Sequence, residues 1–195
     1  KLYKKMNKTI ISINFFIYLF FFSAYSHTMA SEEAQYNIVQ KTDVYEIRYY
    51  SDRLVVQVID LGQDNSFRKL FNYISGSNNK FEKINMTIPV TQSINESKQV
   101  MQFYLPSKFT KETTPIPSNS DLEISTIKAG FYAVIKYSGR SSDKNFFKYS
   151  KILKQELSKD EILIIGSAIK ATYNGPFTLP PFRRNEAMFN VEWKS

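Results

Sequence analysis

The chain has 195 residues, 43% of them hydrophobic and 15% aromatic, and carries a formal net charge of +8. That composition suits a folded domain and excludes a disordered chain. There is no Cys, and the single His is His27, which removes thiol nucleophiles, Ser-His-Asp triads and zinc sites of the usual kind from everything beyond residue 30.

In chain order, the first feature is a basic N-terminus, with Lys1, Lys4, Lys5 and Lys8, followed by the apolar run IISINFFIYLFFFSAY (Ile10–Tyr25). Basic, then apolar, then small and polar is the order of a secretory signal peptide, with cleavage after Ala30 or after Ser26. The alternative is an uncleaved membrane anchor over residues 9–31, since a span needs about 20 apolar residues. Residues 1–30 are therefore set aside, and residues 31–195 are expected to form one domain, exported to a periplasm or secreted. Setting them aside removes four basic residues and no acidic ones from totals of 26 and 18, leaving a net charge of +4. The remaining basic residues form no stripe, so no nucleic-acid partner is expected. Only an uncleaved N-terminal segment would engage a membrane.

YNIVQ (36–40) and VYEIRYYSDRLVVQVID (44–60) read as strands, because Val44, Glu46, Arg48 and Tyr50 alternate with Tyr45, Ile47 and Tyr49. SDR (51–53) breaks the second into a hairpin. The period changes in DNSFRKLFNYISG (64–76), where Phe67, Leu70, Phe71 and Ile74 share one helix face. Asp64 or Asn65 can cap that helix and Gly76 can end it. Residues 84–94 and 100–109 read as the next strand pair, and Pro89 marks an edge strand or a bulge. TPIPSNS (114–120) is a loop. The order then recurs: strands at 121–128 and 131–139, a helix at 141–159 capped by Ser141 or Ser142, one or two strands at 161–174, and a last strand at 186–194. Each half reads strand, strand, helix, strand, strand. The fold class is therefore α+β: a distorted antiparallel barrel or curved sheet flanked by two helices, as a repeat of order and not of residues.

Candidate chemistry is that of binding. The adjacent carboxylates, Glu32–Glu33 and Asp160–Glu161, read as solvated and not as an acid–base pair, and no G-x-S-x-G or Gly-rich phosphate loop is present, so no enzymatic activity is expected. Phe67, Phe71 and Tyr73 could stack on a flat ligand while Arg68 or Lys69 pairs with carboxylates at its edge. Polarizable Met86 is a further contact. In YNGPFTLPPFRRNE (173–186), Pro176, Pro180 and Pro181 fix a stiff loop outside the ladder. Phe177, Leu179 and Phe182 give it an apolar side, and one of Arg183 and Arg184 is a candidate to pair with Glu186.

Six motifs in this order, YEIRYY (45–50), FRKLFNYISGSN (67–78), KINMTIPV (83–90), FYLPSKF (103–109), FYAVIKYSG (131–139) and YNGPFTLPPFRRNE, resemble the SOUL haem-binding protein family. The resemblance spans about Tyr36 to Glu192. It implies a pseudo-twofold barrel shared with bacterial multidrug-binding regulatory domains. It also implies non-covalent binding of b-type haem or another tetrapyrrole, without turnover and without a structural metal, by a monomer. The implied contacts are Phe67, Arg68, Leu70, Phe71 and Ile74 on the first helix, Met86, and Phe177, Leu179, Arg183 and Arg184 in the late loop, with arginines on the propionates. The histidine proposed to ligate iron in some members has no counterpart near the first helix here. Met86, Tyr73 or a lysine could serve as a weak axial ligand, and nothing in the sequence selects among them. A general binder of hydrophobic ligands and a protein-interaction module are the alternative readings.

Overall fold

The computed structural model describes residues 31–60, 65–95 and 98–194. The expected signal or anchor segment lies outside the described residues. Within them no helix is long and apolar enough to cross a membrane.

The strands are β1 (Asn37–Lys41), β2 (Glu46–Tyr50), β3 (Arg53–Asp60), β4 (Val90–Asn95), β5 (Lys98–Tyr104), β6 (Leu122–Ile127), β7 (Gly130–Tyr137), β8 (Ile169–Thr172) and β9 (Asn185–Val191). Helix α1 (Ser66–Ile74) follows β3, and α2 (Asp143–Lys159) follows β7. All nine strands form one curled antiparallel sheet in the order β1-β2-β7-β9-β8-β4-β5-β3-β6. Exchanging β2 with β6, β3 with β7, β4 with β8 and β5 with β9 reads that order backwards once β1 is left aside. The repeat of order seen in the sequence is thus a pseudo-twofold in the hydrogen-bond ladder. The axis passes between β4 and β8, which pair from Val90↔Thr172 to Ser93↔Ile169.

Strand alternation separates two faces. On one face, Leu54, Val56 and Val58 meet Leu70, Tyr73 and Ile74 of α1, with Met101 and Phe103 of β5 beside them. Around the pseudo-axis, Ala133, Ile135 and Tyr137 meet Phe146, Leu153 and Leu157 of α2. The other face is enclosed by the curl of the sheet and carries Arg48 and Glu186, both fully buried, with Tyr50, Tyr132 and Tyr173.

Local chemistry sets the helix ends. Ser142 caps α2 by accepting from the Asn145 N–H at 3.3 Å. Asn65 stands at the N-cap of α1 without a side-chain cap bond, and Asp64 lies outside the described residues. At the other end Gly76 has φ +116°. Its N–H bonds the Tyr73 carbonyl, and the Ser77 N–H bonds the Asn72 carbonyl, a Schellman closure.

Three expectations are corrected. The strands on either side of residues 51–53 form no hairpin, since β2 lies between β1 and β7 and β3 between β5 and β6. Residues 84–89 form no strand; β4 begins at Val90 and lies between β5 and β8, so it is not an edge. Pro89 falls just before the ladder, where its missing N–H costs no bond. Of 161–174, only Ile169–Thr172 is a strand, with Ile164 contributing an isolated bridge to Val191.

Candidate functional site

Helix α1 has two sides with different environments. Leu70 and Tyr73 are fully buried and Ile74 is 6% exposed, whereas Phe67 and Phe71 are 48% and 49% exposed. Spaced i and i+4, the two exposed rings lie one turn apart on the same side. They are nearly parallel, at 13° and 6.2 Å between centroids. Phe67 is braced from beneath by the edge of Phe103 at 5.2 Å. The helix therefore offers two aligned aromatic faces held by the core.

These rings stand at a cleft of about 520 Å³. Met86, Val90 and Met101 continue its apolar wall, and Gly175 and Pro176 bring the start of the late loop to its rim. Lys170 and Thr172 of β8 also line it. They arrive because β8 pairs with β4 across the pseudo-axis, setting Lys170 opposite Gln92. Lys170 Nζ bonds Asp143 at 2.9 Å.

The structure gathers Phe67, Phe71 and Met86 in one wall. Arg68 is exposed on the same helix. Leu70 and Ile74 are turned into the core, which corrects their assignment as ligand contacts: a helix packed on a sheet cannot present its buried stripe outward. Tyr73 is likewise removed, since its hydroxyl donates to the Pro115 carbonyl at 2.8 Å. Burial pushes that hydroxyl above the ordinary tyrosine range. Lys69 is paired with Asp121 at 2.8 Å.

The late loop divides in the same way. Phe177 is 97% exposed, and Leu179 and Phe182 are also exposed; none of the three lines the cleft. Arg183 donates to the carbonyls of Thr178 at 2.7 Å and Pro176 at 2.6 Å, pinning the loop on itself. Arg184 bonds both oxygens of Glu33, at 2.8 and 3.0 Å, and Glu186 at 2.9 Å. Its guanidinium also lies 3.7 Å from the centre of the Tyr173 ring. Burial favours the neutral form of Arg184, but the Glu33 hydrogen bond and the Glu186 charge outweigh it and hold the guanidinium protonated. Arg184 is thus fully occupied in fixing the strand that follows the loop, whereas Arg183 is engaged in the loop through Nε and Nη2 alone.

Nothing in the local pattern around α1 pointed to Lys170, Thr172 or Met101, because they reach the cleft through long-range pairing. The alternation of IKAT in β8 sets Lys170 and Thr172 on one face, but only the pairing with β4 brings that face to the cleft. Among the described residues no group of three or more His, Cys, Asp or Glu side chains could hold a metal ion. The residues present fit a flat apolar macrocycle through the two parallel rings and the thioether-lined wall. They offer no imidazole or thiolate for iron.

The chain is a curled antiparallel half-barrel with two helices on its outer face and an apolar cleft beside the first. The chain belongs to the SOUL heme-binding protein family, whose model matches residues 31–190. It is similar to heme-binding protein 2 of Mus musculus, at 28% identity over 168 residues, covering 77% of this chain and 80% of that one. Among solved structures it is similar in fold to the EcmrR C-terminal domain, with a TM-score of 0.56 at 15% identity over 80% of this chain and 98% of that one. A hydrolase from Listeria innocua shares the fold too, with a TM-score of 0.56 at 8% identity over 79% of this chain and 94% of that one. At those identities the two structures bear on the fold alone.

Proposed function

We propose that the protein binds haem or a related tetrapyrrole, without turnover, in the cleft beside α1. The observation that carries this reading is the aligned, half-exposed Phe67–Phe71 pair standing over the core at the mouth of the cleft. Half-exposed aromatics on a rigid helix are costly to leave in water and gain from a flat partner. The exposed Phe177 and Leu179, on the loop whose start reaches the rim of the cleft, would add apolar cover to a bound macrocycle. Haem itself supplies the iron; the chain supplies apolar contact, of the order of 25 cal/mol per Å² covered. Arg68 is the arginine available for a propionate, with Lys170 at the rim. Met86 and Met101, the two thioethers of the wall, would be the soft donors offered to an iron porphyrin. The compartment follows the reading of residues 1–30: an exported carrier or buffer.

Because residues 31–195 contain no His or Cys, iron is not the main recognition element, and iron-free protoporphyrin is expected to bind within about tenfold of hemin. Hemin titration should give a saturable Soret shift at micromolar concentration, weakened in Phe71→Ala. No saturable shift, or a Phe71→Ala variant that titrates like the parent, would overturn the assignment.

A further inference from the structure

The face enclosed by the sheet holds a second pocket, separate from the α1 cleft, of about 180 Å³. Arg53 lines it, at the first position of β3. The other cations of this face each hold a carboxylate: Arg48 bonds Glu46 and Glu186, Arg184 bonds Glu33 and Glu186, and Lys136 bonds Glu46. Arg53 differs. Its Nη1 reaches the Tyr104 hydroxyl at 3.4 Å, while its Nε and Nη2 are buried without a hydrogen-bond partner among the described residues. The carboxylates close by are already engaged. Asp52 accepts from Lys128 and from the Ala129 N–H, and Glu123 accepts from Gln57.

Aromatic rings occupy the flat faces of this guanidinium. Its Cζ lies 4.2 Å from the Tyr50 ring centre, 4.9 Å from Tyr132 and 5.5 Å from Tyr104. Such stacking holds the group in place but leaves its edge unserved. Nε and Nη2 form one side of the guanidinium fork, two parallel N–H groups spaced to match the two oxygens of a carboxylate. Buried donors without acceptors are expensive, so an acceptor brought in by a ligand has much to gain here. The rest of the pocket wall combines carbon from Tyr104, Ile127, Tyr132, Ile169 and Met188 with the polar side chains of Ser93 and Gln102. Its volume equals about six waters, at roughly 30 Å³ each.

We infer that this pocket is a second ligand site, specific for a small organic monocarboxylate with a compact apolar body, received by the Nε/Nη2 fork of Arg53. The fork selects the planar anion, and the side chains of Ile127, Ile169, Tyr132 and Met188 favour an organic body over a bare inorganic anion.

The test uses the full chain carrying ¹³C-methyl methionine, with benzoate as probe, benzamide as its neutral counterpart, and inorganic phosphate as the carbon-free anion. Benzoate should move the Met188 methyl resonance saturably, and benzamide should bind at least about tenfold more weakly, because it cannot accept a charge-assisted bidentate bond. Arg53→Gln should weaken benzoate at least about tenfold while leaving hemin affinity unchanged. Arg53→Lys, which keeps the charge and loses the fork, should fall on the same side as Arg53→Gln. The comparison of benzoate with benzamide on the unmodified chain stands even if a variant folds poorly. Absence of a saturable Met188 shift, equal affinity for benzamide, or phosphate binding as well as benzoate would each overturn the proposal.

Discussion

Phe71 and its neighbour Leu70 provide the sharpest separation of binding from folding. An aromatic side chain carries about 200 Å² of surface. At 49% exposure, Phe71 leaves roughly 100 Å² in water for a ligand to cover. At about 25 cal/mol per Å², covering most of it stabilises a complex by about 2 kcal/mol. Phe71→Ala should therefore raise the hemin Kd about 30-fold. Its effect on folding should be about 1–2 kcal/mol, since about half of the ring is already covered by the protein. Leu70, fully buried between α1 and the sheet, should behave in the opposite way. Leu70→Ala opens a cavity and should cost about 2–5 kcal/mol of stability. The protein that remains folded should titrate hemin like the parent. Urea melts followed by circular dichroism, paired with Soret titrations at a denaturant-free reference, read both quantities. The reasoning fails if Phe71→Ala leaves Kd within about threefold of the parent, or destabilises as much as Leu70→Ala.

Three further outcomes follow from the same contacts. Arg48→Met should cost about 3 kcal/mol in urea melts, because it removes the fully buried cation shared by Glu186 and Glu46 and leaves them to Arg184 and Lys136 at the edge of the network; a loss below about 1 kcal/mol would show the network to be dispensable. Burial pushes the Glu46 carboxyl up, but the Arg48 hydrogen bond and charge, with Lys136, outweigh it and hold it below the usual range. Its contribution to stability is thus complete above its unfolded value near 4.5 and is lost as pH falls through the lower folded value. In melts taken from pH 6 to pH 3, stability should fall more slowly for Glu46→Gln than for the parent. Gly76→Ala places a side chain at φ +116° and should cost about 1 kcal/mol through backbone strain alone, since an added Cβ would meet only the Phe81 carbonyl at 3.6 Å.

Much of the architecture was readable because its causes are local. The change of period at Phe67 located α1, the Ser141–Ser142 pair located the start of α2, and the strand, strand, helix, strand, strand order foretold a pseudo-twofold. The pairing of β4 with β8 was not readable, since it joins residues about 80 apart and no short-range pattern specifies it. For that reason the half of the cleft carried by α1 and Met86 could be anticipated, while Lys170, Thr172 and Met101 could not. A single helical stripe joining Phe67, Leu70, Phe71 and Ile74 hid a second distinction. The stripe is broad enough to touch both the core and the cleft, and only the packing angle of α1 decides which residues face which. The two arginines of the late loop were ambiguous for a different reason. Their partners, Glu33 and the carbonyls of Pro176 and Thr178, are supplied by the curl of the sheet and the turn of the loop, and the motif alone does not reveal them.

The central claim is that the tetrapyrrole lies in the α1 cleft and not inside the curl of the sheet, and methionine methyl groups report on both places. Met86 and Met101 line the cleft, and Met188 lines the enclosed pocket. Adding gallium protoporphyrin, a diamagnetic stand-in for hemin, to ¹³C-methyl-methionine protein should shift Met86 and Met101 by ring current while Met188 stays in place. A shift confined to Met188, or saturable binding that moves neither Met86 nor Met101, would contradict the account.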